Sequence, residues 1–76
     1  LMNNPFVLRQ AELFAERLKQ TAPSDPRRQI ELAYEIALTR QPTTAEMVLA
    51  RNLVDQQSLV DLAHVMFNLN EFLYIR

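Results

Sequence analysis

Few residues in this chain are able to do chemistry, and their spacing limits what they can do. His64 is the single histidine, and there is no cysteine. A thiolate nucleophile, a disulfide and a thiolate metal site are therefore excluded. One histidine cannot build a zinc site alone. A Ser–His–Asp arrangement would have to draw on Ser24 or Ser58, with Asp61 close in sequence. Both serines stand near expected helix starts, where a hydroxyl serves as a cap. His64 lies among Val60, Val65 and Phe67, which favours a structural imidazole donating to a backbone carbonyl or a side chain.

Carboxylates recur at helical spacing as Glu12 with Glu16 and Glu31 with Glu35. Such pairs can do acid–base work or bind metal. Here they share polar faces with basic residues such as Arg17 and Arg27, so solvated surface is the better reading. No Glu-x-x-His motif occurs, which argues against a di-iron bundle. Arg27, Arg28, Arg40 and Arg51 could touch nucleic acid if the second and third helices formed a helix-turn-helix. Arg27 and Arg28 fall in a first turn, where the helix dipole disfavours cations, and Glu31 one turn on is the simplest partner. Basic residues are not gathered on one face, so no nucleic-acid partner is expected. Arg40, His64 and Glu71 are left as the candidates for a polar patch. No catalytic, cofactor-binding or metal-binding residue is assigned, and no cofactor is expected.

The elements that position these residues are all helical. The 76 residues carry eight basic and nine acidic side chains, no glycine, and prolines at 5, 23, 26 and 42. Helix one is expected from about Pro5 to Gln20, capped by Asn4, with Val7, Ala11, Phe14, Ala15 and Leu18 as its apolar stripe. Asp25 caps helix two, and Pro26 opens it. Its stripe is Ile30, Ala33, Tyr34, Ala37 and Leu38, and it should fade near Arg40, ahead of Pro42. Thr43 and Glu46 form a capping box for helix three, whose stripe is Met47, Ala50 and Val54. Arg51 and Asp55 are spaced for a surface ion pair. Ser58 can cap a fourth helix, although one long helix through "DQQS" is an open alternative. Helix four is apolar nearly all round, which predicts burial on most sides and a central place.

The tail "NLNEFLY" reads as a stop. Asn68 or Asn70 would end helix four in the left-handed conformation, or Asn70 would cap a final short turn beginning at Glu71, and Phe72 would fold back onto the core. The fold class is therefore all-α, a compact bundle of about four short antiparallel helices. Residues 1–76 read as a single helical domain, and the opening "LMNNPF" reads as the edge of an excised C-terminal part of a larger protein. No run of eighteen apolar residues is present, so no membrane span is expected. Apolar residues make up 49% of the chain, which points to packing on the rest of a parent chain or to self-association. The alternative is an accessory region that completes an enzymatic or redox site upstream, lending Arg40, His64 and Glu71. No small-molecule ligand is identifiable.

Three stretches, "LMNNPFV", "AYEIALTRQPTTAE" and "HVMFNLNEFLY", together resemble a known family. It is the C-terminal region of a planctomycete-specific domain of unknown function that often follows cytochrome-c-like modules. The matching residues are Asn3, Asn4, Pro5 and Phe6, then Arg40, Pro42, Thr43 and Glu46, then Asn68, Asn70, Glu71 and Phe72. Thr39 stands where the family often has glycine, which argues against a left-handed helix end there. Leu69 replaces a frequent serine and makes the tail more apolar. The resemblance implies an exported, extracytoplasmic parent with haem modules elsewhere, and no catalytic residue in this region. No Cys-x-x-Cys-His attachment site lies in the chain.

Overall fold

A computed structural model describes residues 4–75, with side chains from 4 to 69. Four helices follow in order: α1 (Pro5–Thr21), α2 (Pro26–Leu38), α3 (Thr44–Gln56) and α4 (Leu59–Ile75). Each begins on a side-chain cap. Asn4 Oδ1 accepts from the Val7 amide at 2.9 Å, and Asp25 Oδ1 accepts from the Arg28 amide at 3.1 Å. Pro5 and Pro26 open the first two helices, where a missing N–H removes no helical bond. Ser58 Oγ accepts from the Asp61 amide at 3.1 Å and donates to the Asp61 carboxylate at 2.9 Å. The break at residues 57–58 therefore separates α3 from α4, and the single long helix does not form.

All five expected stripe residues of α1 are buried. Ala11, Phe14, Ala15 and Leu18 join Ile30, Ala33 and Tyr34 of α2, Ala50 of α3, and Leu59, Leu62, Ala63 and Met66 of α4 in one cluster. α4 packs on each of the other three helices, while α1 and α3 do not pack on one another. Alanine at buried contact positions (Ala11, Ala15, Ala33, Ala50 and Ala63) lets helix axes approach closely in a chain without glycine. Phe14 and Phe67 stack between α1 and α4, with ring centroids 5.5 Å apart and planes at 28°. α4 is central, and its described side chains are buried or half-buried at every position but two. Leu59, Leu62, Ala63 and Met66 form the inner stripe, while Val65 and Leu69 remain exposed. The helical repeat turns 65 and 69 away from the face that 62 and 66 share.

Two further expectations are corrected. First, α4 does not stop at Asn68 or Asn70 but continues to Ile75. Asparagine costs a helix well under ~1 kcal/mol relative to alanine, too little to end one whose inner stripe is anchored. Asn68 also bonds along the helix, its Nδ2 donating to the His64 carbonyl at 2.9 Å. The stop-and-fold-back reading of the tail fails, and the side chain of Phe72 lies outside the described residues.

Second, Thr39 does take the left-handed conformation, at φ 56° and ψ 32°, and caps α2. Its amide donates to the Glu35 carbonyl at 3.1 Å, and its hydroxyl donates to the Leu38 carbonyl at 2.6 Å. The turn toward Pro42 requires this reversal whatever residue occupies the position. A β-branched side chain there carries a penalty of ~1–2 kcal/mol, offset in part by the entropy a glycine would lose on folding. Thr39→Gly should therefore raise stability by about 0.5–1 kcal/mol. A higher denaturant midpoint is the expected readout, and an unchanged or lower one would contradict the strain.

Candidate functional site

A closely bonded polar constellation lies in the α2–α3 turn. It begins from the capping box: the Glu46 amide donates to Thr43 Oγ1 at 3.1 Å, and the Thr43 amide donates to Glu46 Oε1 at 2.9 Å. Thr43 is thus the N-cap of α3 and Glu46 its N3 residue. Arg40 closes the turn from the other side. Its Nη1 and Nη2 donate to the two Glu46 carboxylate oxygens at 2.7 and 2.8 Å, a bidentate pair. Nη1 also donates to the Gln41 carbonyl at 3.2 Å. The guanidinium carbon lies 5.6 Å from the centroid of the buried Tyr34 ring, so the clasp rests on α2 as well.

Charge follows from this geometry. The Arg40 hydrogen bonds, and then the Thr43 amide, hold the Glu46 carboxyl down to about 2 from an ordinary 4.5. Arg40 is correspondingly raised, chiefly by its bond to Glu46. Burial pushes the Tyr34 phenol up, with the Glu46 charge adding and Arg40 opposing. A depressed carboxyl contributes stability that is present above its unfolded value and lost as pH falls through its folded one. For Glu46 that window runs from roughly pH 4.5 down to about 2. An arginine and a glutamate locked together in this way act as a fastener between two helices. Neither is left poised as an acid, a base or an anion receptor.

The expected patch of Arg40, His64 and Glu71 is placed in parts. Arg40 is in the turn, bonded to Glu46. His64 is half-buried on α4, and its backbone carbonyl accepts from Asn68. Glu71 is on the last turns of α4, and its side chain lies outside the described residues. Arg27 and Arg28 both reach Glu31, at 3.5 and 3.4 Å, and Arg28 also reaches Glu35 at 3.8 Å. The Arg51–Asp55 pair forms at 3.3 Å. Among the described residues, no group of three His, Cys, Asp or Glu is placed to hold a metal ion, and no helix is long and apolar enough to cross a membrane.

Open hollows among the described residues include two beside α2. One, of about 370 Å³, separates Arg27 and Glu31 of α2 from Pro42, Thr44, Met47 and Val48. The other, of about 290 Å³, is lined by Leu13, Phe14, Ile36, Ala37 and Phe67, with Arg17 at its rim. Neither is lined by Arg40 or His64.

A family model described as "PSD1: Protein of unknown function (DUF1553)" matches residues 1–54, more than two thirds of the chain. The chain belongs to this family. The PSD1 match takes in α1, α2, the Arg40–Glu46 turn and most of α3, and leaves α4 outside it. No curated protein and no solved structure matches the chain.

One residue that organises the fold was not singled out in the sequence. Among the described residues, Gln29 is the buried polar side chain, and its Nε2 donates to the Ala22 carbonyl at 2.8 Å. This ties the first turn of α2 to the end of α1. Its position four residues before Ala33, on the buried stripe, is the signal that would have found it.

Proposed function

We propose that this chain is a non-catalytic helical packing module of a larger, exported bacterial protein, docking on the rest of that protein or on a second copy through apolar surface. One observation carries the reading. The polar motif residues Arg40, Thr43 and Glu46 are bound to one another in the α2–α3 turn, whereas large apolar side chains stand in solvent. Phe6 is 71% exposed, and the adjacent Val48 and Leu49 on α3 are 55% and 69% exposed. Scattered apolar residues are ordinary on any surface, but a 76-residue domain gains most from covering neighbouring ones.

The exported, planctomycete setting beside cytochrome-c-like modules rests on the resemblance of the three sequence stretches. It is tested by fractionating cells that make the full-length parent. Recovery of the parent in the cytoplasm would refute that part.

For the packing role, sedimentation of the isolated chain should show mass above the monomer, rising with concentration. Val48→Lys with Leu49→Lys should shift it toward the monomer while changing stability by no more than ~0.5 kcal/mol per site. A strict monomer at every concentration that also fails to bind the remainder of its parent would overturn the reading.

A further inference from the structure

We draw no further inference here: the strongest candidate, the apolar hollow between α1, α2 and α4 lined by Leu13, Phe14, Ile36, Ala37 and Phe67 with Arg17 at its rim, is an unpartnered surface, and nothing in the structure shows what covers it.

Discussion

Leu18→Ala should leave most of the chain unfolded at room temperature. Leu18 is 1% exposed and is among the largest fully buried side chains of the protein, with Ile30 and Met66. It lies in the cluster that joins α1 to α2 and α4. Leucine-to-alanine truncation at such a site costs about 2.7–5 kcal/mol, because the lost transfer energy is joined by a cavity that neighbours fill only partly. A domain this small holds only ~3–5 kcal/mol in total. Circular dichroism should show loss of most helix signal and of the cooperative melt. Leu49→Ala is the control: at 69% exposure it removes no core contact and should shift stability by less than ~0.5 kcal/mol. Equal effects from the two substitutions would mean that the packing described is wrong.

The second large effect belongs to Gln29→Leu. The substitution keeps side-chain bulk and adds apolar character, so simple hydrophobic reasoning expects a gain. The structure predicts the opposite. The Ala22 carbonyl would lose the buried donor now 2.8 Å away and keep only the Asp25 amide at 3.3 Å. Loss of one such hydrogen bond costs about 0.5–1.5 kcal/mol. Chemical denaturation should therefore place Gln29→Leu below wild type, with an unchanged denaturant slope. A variant as stable as wild type would show that this bond does not fasten α1 to α2.

Much of the architecture was legible because helix starts and stripes are local. Asn4, Asp25, Thr43 and Ser58 each cap where a short polar residue precedes an apolar period, and the α1 stripe follows the helical repeat without exception. The misreadings have a common cause: local preference was set against a stronger tertiary demand. Thr39 resists the left-handed conformation, yet the turn into Pro42 imposes it. Asn68 and Asn70 suggest a helix end, yet α4 runs through both because its inner stripe is held against three helices. The candidate patch was less legible still. Arg40 reads in the sequence as a member of a polar patch with His64 and Glu71, although Arg40, Thr43 and Glu46 have the spacing of one fastened turn. Thr43 and Glu46 were recognised as a capping box, but an arginine three residues before the cap was not connected to it.

The central claim is that the Arg40–Glu46 pair serves the fold. It is tested most directly by the pH dependence of stability in wild type and Glu46→Gln. Glutamine can still accept from the Thr43 amide, but it removes the charge that Arg40 grips. Because the folded carboxyl is held at about 2 and the unfolded one titrates near 4.5, wild type should exceed the variant by a constant margin above that range. The margin should shrink as pH falls below 4.5 and approach zero near 2. Two stability curves that coincide at neutral pH, or that stay parallel down to pH 2, would contradict a structural role for the pair and leave Arg40 a candidate for the polar patch.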